Sequence, residues 1–227
     1  MYHAIGSPAL GDRLGIFTLS PHLFAQHIAI LSEFGNAIPL GQPGFPSGPP
    51  LSVAVTFDDG YADNLHVAAP ILEKYSMPFT LFVSAAFVRN HTRHFLCPSE
   101  LRDIANHPLA NIGSHGNTHI PLTECSEKKL REEVKDSKYY LEDTIGKEIT
   151  VLSYPYGAVN RRVRNVVEET GYRSAACSYF NINGPTRDPF FLGRTTILRD
   201  DSPQIFRQKL HGDWDWYRLR QHDPEKS

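Results

Sequence analysis

The stretch "LSVAVTFDDG" (residues 51–60) joins a short apolar run with β-branched residues to two adjacent aspartates and a glycine. A Pro/Gly-rich segment, "GQPGFPSGPP" (residues 41–50), precedes it and is typical of a loop. The apolar run therefore predicts a buried strand that ends at Asp58. An aspartate at such a position is commonly the N-cap of a following helix, but a cap needs only one carboxylate. The pair formed by Asp58 and Asp59 thus points to chemistry at this strand end.

Outward from this stretch, the chain alternates between strand-like and helix-like segments. A capping serine, an apolar face formed by Leu130, Val134, Leu141 and Ile145, and a final glycine predict a helix from Ser126 to Gly146. Other helices are predicted over residues 21–34, 62–75, 98–106, 160–171 and 202–210, and strands over residues 79–85, 110–114, 149–154 and 173–177. This α/β alternation predicts a parallel sheet with crossover helices, closed or nearly closed as a barrel. Ligands then bind at the C-terminal ends of the strands.

Composition narrows the function classes. With 227 residues, 41% of them hydrophobic, the chain can bury one sizeable core, so a single domain over residues 1–227 is expected. The net charge of -2, with both signs interspersed, offers no basic surface for nucleic acid. No apolar run is long enough to span a bilayer, and the first residues lack the pattern of a secretion signal, so a cytoplasmic location is expected. A trimmed chain would instead be compatible with a periplasmic or extracellular one.

The cysteines are an odd, widely spaced set. Cys97, Cys125 and Cys177 form no Cys-x-x-Cys pair, which argues against both a disulfide framework and a cysteine zinc site. They are expected to be reduced structural thiols.

Two further predicted strand ends have unusual residues. In "GSHGNTH" (residues 113–119), His115 and His119 lie four positions apart, and on a helical turn both imidazoles would share one face. An isolated pair with this spacing is often incidental. In "SYPYG" (residues 153–157) an aromatic and proline-rich segment follows another strand, and a plain turn explains it equally well.

Taken together, the aspartate pair and the two histidines supply the ligands of a metal site. Two imidazoles and one carboxylate form a set that binds a divalent ion and leaves positions open for water and substrate. The second aspartate then need not bind the ion, and beside it can take a proton from water as a general base. Zinc is the expected ion for this ligand type, and cobalt, nickel, manganese and iron are also compatible with it.

These motifs resemble those of the polysaccharide deacetylases of carbohydrate esterase family four. "TFDDG" (residues 56–60), "SHGNTH" (residues 114–119) and "YPYG" (residues 154–157) match the first three motifs of that family in order. The resemblance covers roughly residues 52–157. It implies a distorted (β/α) barrel and metal-dependent removal of acetyl groups from N-acetylated sugars, with release of acetate.

The resemblance also assigns residues to roles. It implies that Asp59, His115 and His119 bind the metal and that Asp58 is the catalytic base. The backbone amide of Tyr156, in the third motif, is implied to hold the oxyanion.

Two positions depart from the common family pattern. The arginine that usually opens the third motif and orients the base is replaced by Ser153. Arg194, near a later strand end, resembles the residue that takes this role in a subgroup with the YPYG motif, and a plain structural ion pair is the alternative. The late Leu-x-x-His motif that supplies the acid is also absent, since "TILRDD" (residues 196–201) occupies that neighbourhood.

An early histidine is the candidate for the missing acid. "YHAI" (residues 2–5) predicts a short strand that would lie beside the last strand of a barrel. Biofilm-matrix deacetylases that resemble this chain have an early "YH" histidine in place of the late one. The resemblance therefore implies that His3 is the general acid, held protonated near neutral pH by the carboxylates and facing the metal from the side opposite Asp58. A frayed terminal residue is the alternative.

Aromatic residues are candidates for sugar contacts. Tyr154, Tyr156, Trp214 and Trp216 offer flat faces on which a pyranose can stack, although packing is favoured for the two tryptophans. The expected partner is an N-acetylated glycan or glycan precursor, as in exopolysaccharide or O-antigen biosynthesis, and the oligomeric state is left open.

Two alternative functions stay open. A sugar-binding pseudoenzyme would keep the fold and lose a ligand or the base, and a hydrolase of small linear or cyclic amides belongs to the same superfamily. The intact ligand set and base favour a metal-dependent enzyme over both.

Overall fold

A five-stranded parallel sheet lies at the centre of the protein. The computed structural model describes residues 1–40 and 52–226. The strands follow one another across the sheet in chain order: β3 (Val55–Phe57), β4 (Phe79–Val83), β5 (Ala110–Ser114), β6 (Val151–Ser153) and β7 (Ser174–Ala176). Every pairing in this sheet is parallel, so each connection crosses over through helical segments. The predicted parallel sheet with crossover helices is confirmed.

Helices surround this sheet. They are α1 (Pro21–Phe34), α2 (Ala69–Lys74), α3 (Ala85–Arg89), α4 (Pro98–Ala105), α5 (Glu127–Ile145), α6 (Arg161–Glu169) and α7 (Pro203–Leu210), with a π-helical turn over Asn64–Ala68 and short 3-10 turns over Leu122–Glu124, Pro155–Gly157, Asp215–Arg220 and Pro224–Lys226. Helix α5 shows why the sequence pattern works: the Ser126 side chain accepts from the Lys129 amide, and Gly146 ends the helix with φ 68°. Its apolar face is buried in the core.

The N-terminal segment closes one side of the sheet. Strand β1 (Ala4–Ile5) pairs in parallel with β2 (Thr18–Leu19). Just before β1, the Tyr2 amide donates to the Thr56 carbonyl at 2.8 Å, and the Asp58 amide donates to the Tyr2 carbonyl at 3.0 Å. Residues 1–3 therefore run beside the strand that leads into the aspartate pair.

The segment over residues 192–197, which follows β7, lies beside residues 1–3 on the side away from β3. The Ile197 amide donates to the Met1 carbonyl at 3.0 Å, and Leu192 forms a parallel bridge with Ala176 beyond β7. The expectation that an N-terminal strand lies beside the last stretch of the barrel is confirmed.

Two predicted elements differ from the structure. The segment that contains His115 and His119 is a loop with no helical turn, and His119 has a positive φ of 56°. The predicted helix over residues 62–75 is divided between the π-helical turn and α2. The predicted loop over residues 41–50 lies outside the described residues. Within residues 1–40 and 52–226, no helix is both long and apolar enough to cross a membrane.

Candidate active site

Three side chains from two strand ends converge on one point. The Oδ1 atom of Asp59, which follows β3, lies 3.3 Å from His115 Nε2 and 3.1 Å from His119 Nε2, both of which follow β5. One ligand atom of each residue lies within 4.8 Å of the other two. The two imidazoles meet although they share no helix face, because the loop bends at His119. The two histidines that the sequence pattern paired thus lie together, but the expected helical turn between them is wrong.

The donor set fits a divalent metal ion. His115 Nδ1 donates to the Ser153 carbonyl at 2.8 Å, which leaves Nε2 as the free nitrogen directed at Asp59. Asp59 Oδ1 is buried and has no hydrogen-bond partner among the described residues, even though two imidazole nitrogens lie nearby. A buried oxygen and two nitrogens with this arrangement match the two-histidine, one-carboxylate chemistry of such sites.

A buried glutamate holds the loop between the two histidines. Glu133, fully buried on α5, accepts from the Asn117 amide at 3.1 Å and from the Thr118 amide at 2.8 Å through Oε2. Its other oxygen accepts from the Thr118 hydroxyl at 2.6 Å, and Lys129 balances its charge at 2.8 Å. The loop conformation is thus fixed by a side chain from outside the motif, which the sequence analysis missed. The available signal was an acidic residue next to Val134 on the apolar face of the helix.

Three of the six described non-glycine residues with positive φ belong to the site. Asp59, His119 and Tyr156 all have positive φ values, of 77°, 56° and 59°, a region that residues other than glycine seldom adopt. Gly60 follows with φ 88°, and a Cβ there would lie 3.1 Å from Val83 Cγ1. Such clusters of strain are common where a site must hold a fixed geometry.

The second aspartate is held by an arginine from a distant part of the chain. Both oxygens of Asp58 accept from Arg194, Oδ1 from Nη1 and Oδ2 from Nη2, each at 2.7 Å. Ser153 lies between them: its Oγ donates to Asp58 Oδ2 at 3.2 Å and accepts from Arg194 Nη2 at 2.7 Å. The structure brings Arg194 to the position that the sequence analysis gave it. The sequence did not indicate that Ser153 contacts both partners.

This arrangement sets the charge of Asp58. Burial alone would raise the pKa of the carboxyl group, but the Arg194 guanidinium and His115 lower it well below its usual range. Asp58 is therefore a carboxylate at neutral pH. Burial alone would lower the pKa of His115. The Asp58 and Asp59 carboxylates outweigh burial, so in the absence of an ion the pKa of His115 is raised.

His3 lies in the same electrostatic environment. Its ring packs on Phe17, with centroids 4.7 Å apart, and its Nδ1 is buried and has no hydrogen-bond partner among the described residues. Burial lowers the pKa of His3 by more than the Asp59 and Asp58 carboxylates raise it. The expectation of a ring held protonated near neutral pH is therefore wrong, because desolvation outweighs the attraction of the carboxylates.

The aromatic residues of the third motif have different environments. Tyr156 is 68% exposed, and its ring centroid lies 4.7 Å from that of His119, at the rim of the site. Tyr154 is fully buried, and its hydroxyl donates to the Phe190 carbonyl at 3.0 Å. The suggested sugar contact of Tyr154 is wrong, since its ring belongs to the core.

The predicted packing of the two tryptophans holds only in part. Trp214 is half-buried beneath the Lys209 ammonium group, which lies 5.4 Å from its ring centroid. Trp216 is 49% exposed, and its ring packs on that of Trp214 with centroids 6.4 Å apart, so its packing is confined to the surface.

A separate cavity of about 800 Å³ lies alongside the site. Thr56 and Arg194 contribute to its lining, whereas Asp59, His115 and His119 do not. Its walls are mainly apolar. Its described lining residues include no histidine, cysteine, aspartate or glutamate that could bind a metal ion.

Comparison with known proteins identifies the class. The family model for polysaccharide deacetylase matches residues 46–175, more than half of the chain. The chain belongs to the polysaccharide deacetylase family. The protein YxkH of Bacillus subtilis, named for the same family, is 33% identical over 121 residues, which cover 53% of this chain and 42% of that protein.

More distant relatives extend the likeness. The poly-beta-1,6-N-acetyl-D-glucosamine N-deacetylase of Staphylococcus aureus is 24% identical over 182 residues, covering 74% of this chain and 60% of that protein. The chain thus matches about half of the length of these two relatives. The Streptococcus pyogenes deacetylase PplD, solved in complex with acetate, superposes with a TM-score of 0.80 at 24% identity, over 92% of this chain and 95% of that one. This superposition confirms the deacetylase-type (β/α) barrel fold.

Proposed function

We propose that the protein is a metal-dependent hydrolase that removes N-acetyl groups from the sugars of a polysaccharide or its precursor and releases acetate. One observation carries the proposal: Asp59, His115 and His119 converge beside Asp58, whose carboxylate is held by Arg194. The name of the S. aureus relative, a deacetylase of an N-acetylglucosamine polymer, supports this substrate class. We further propose that the chain forms one catalytic domain, because its main hydrophobic core includes residues from Tyr2 to Phe206.

We propose that Asp59, His115 and His119 hold the ion, with zinc as the expected metal and cobalt, nickel, manganese or iron as compatible ones. When bound, such an ion polarises the acetyl carbonyl and makes a neighbouring water more acidic. That acidity matters here, because the lowered pKa of Asp58 makes it a weak base towards ordinary water.

The protein groups around the ion can move the protons that the reaction needs. Asp58 takes a proton from the attacking water, whose oxygen forms a bond to the acetyl carbon. The amide of Tyr156 donates to the oxyanion that develops on the former carbonyl oxygen. The carbon–nitrogen bond then breaks, the nitrogen takes a proton from the His3 imidazolium, and acetate and a sugar amine leave. The lowered pKa of His3 makes the imidazolium a stronger acid but reduces the fraction present at neutral pH.

The test combines metal analysis with product analysis. Purified protein is assayed for bound metal and for acetate release from a panel of N-acetyl glycans, glycan precursors and small linear or cyclic amides. We expect one divalent ion per chain and acetate from the N-acetyl sugars. Activity confined to small amides, or acetate release that persists after the metal has been removed by a chelator, would contradict the proposal.

A further inference from the structure

Two polar side chains anchor the backbone of the segment that contains His3. Asn64 is fully buried at the start of the π-helical turn, and its Nδ2 donates to the His3 carbonyl at 3.0 Å. The same amide group donates to Asp63 Oδ1 at 3.2 Å. Asp63 Oδ2 in turn accepts from the Ile5 amide at 2.9 Å and from the Ser7 amide at 3.0 Å.

This anchor joins the two parts of the site that must act together. Asp63 and Asn64 follow the metal ligand Asp59 by four and five positions, on the turn after β3. Before His3, the backbone of Tyr2 is already bonded to Thr56 and Asp58, whereas strand β1, after His3, has only two residues and pairs with β2 over a short ladder. We call the hydrogen bonds of Asn64 and Asp63 to this segment the clamp. The clamp fixes the backbone of His3 relative to the segment that bears Asp59. A π-helical turn, rare in proteins and frequent at functional sites, begins at Asn64.

We propose that Asn64, with Asp63, is a positioning residue that sets the depth of the His3 ring in the site. The inference rests on the proposed role of His3 as the acid for the leaving amine. The metal triad and the base have other supports, since Glu133 holds the histidine loop and Arg194 holds Asp58. Loss of the clamp thus displaces the acid and leaves the remaining chemistry in place.

A substrate pair separates these effects. An N-acetyl sugar needs a proton on its leaving nitrogen, whereas an activated acetyl ester has a leaving group that needs none. We expect Asn64→Ala to lower kcat for the amide about 10²-fold, the order of loss that a displacement of about 1 Å causes, while ester cleavage stays within about threefold of the wild type. Bound metal should be unchanged.

A matched control uses a second asparagine with the same kind of bond. Asn111 donates from Nδ2 to the Leu40 carbonyl at 3.0 Å, far along the sheet from the clamp. Asn111→Ala should leave the ratio of amide to ester activity unchanged. If Asn64→Ala does not fold, Asp63→Asn replaces it. An amide of the same shape has only one accepting oxygen, so it cannot accept both from the Ile5 and Ser7 amides, as Oδ2 does, and from Asn64, as Oδ1 does.

His3→Ala distinguishes the inference from the function on which it rests. If that variant shows no selective loss of amide hydrolysis, the acid role of His3 is wrong. If it shows the selective loss while the Asn64 and Asp63 variants reduce both activities equally, only the positioning role is wrong. The double variant His3→Ala/Asn64→Ala should be no slower on the amide than His3→Ala, because the two residues act as one unit. An additive loss would overturn the inference.

Discussion

Replacement of Arg194 by methionine tests whether the ion pair with Asp58 is the element that fixes the base. The side chains of Arg194 and Asp58 are only 6% and 4% exposed, and two hydrogen bonds of 2.7 Å join them. Removal of one partner of a buried pair leaves an uncompensated charge and costs about 3–5 kcal/mol. For a chain of this size, about 1 kcal/mol lowers Tm by roughly 2–4 °C, so the expected decrease is roughly 6–20 °C.

The origin of that cost can be tested with a second substitution. In Asp58→Asn/Arg194→Met the charge is gone from both positions, so the double variant should be more stable than Arg194→Met alone. The free energy of unfolding is measured by heat and by urea for the wild type, Asp58→Asn, Arg194→Met and the double variant, all treated with a chelator. These four values form a double-mutant cycle. A double variant that loses the sum of the two single losses, or an Arg194→Met protein within about 1 kcal/mol of the wild type, would refute the reasoning.

The pH dependence of stability gives an independent test of the same ion pair. In the wild type, the lowered pKa of Asp58 contributes stability that is present above the ordinary value of 3.8 and is lost as the pH falls. Without Arg194, burial dominates and raises this pKa, so protonation favours the folded state. The stability difference between wild type and Arg194→Met should therefore narrow as the pH falls. Turnover of N-acetyl sugar should decrease in Arg194→Met with metal content unchanged.

Five further outcomes are expected. Asp58→Asn should keep the metal and lose about 10²–10⁴-fold in turnover, since it removes only the base, and metal loss would instead make Asp58 a ligand. His115→Ala and His119→Ala should lose metal in elemental analysis, and the wild type should lose it below about pH 6, where protons compete for the imidazoles. Glu133→Gln should weaken metal affinity about 10–100-fold in a competition titration, because it loosens the loop between the histidines. With metal in sufficient excess to keep the site filled, the ratio of amide to ester activity should fall as the pH rises through a midpoint below 6.5, because burial lowers the pKa of His3, and a flat ratio would contradict its acid role.

The sequence predicted the strand ends of the site better than the contacts between them. Asp58 and Asp59 were recognisable because one helix cap does not need two carboxylates, and the histidine pair because it follows a short strand. The loop shape around His119 was not recognisable, since it depends on hydrogen bonds to Glu133 from the following helix. A local pattern cannot show a bond made by a side chain 15 positions away.

Burial caused the remaining errors. Tyr154 and Tyr156 are two positions apart in one motif, yet the first is in the core and the second at the rim. Sequence alone gave both the same expected role, because an aromatic ring suits a core and a sugar surface equally. For His3 the carboxylates were correctly expected nearby, but the cost of burying a cation outweighs their attraction.

Ser153 shows how the proposed base, Asp58, can be held without an arginine at the start of the third motif. The serine hydroxyl contacts both Asp58 and Arg194, and the carbonyl of the same residue accepts from His115. One small residue at the end of β6 therefore contacts Asp58, Arg194 and the His115 imidazole. An arginine at position 153 would place a second guanidinium against that of Arg194 in a buried space, where like charges repel strongly. The positive charge can come from Arg194 because residue 153 is small and neutral, so we infer that the two positions depend on each other: Ser153→Arg should be tolerated only when Arg194 is also replaced.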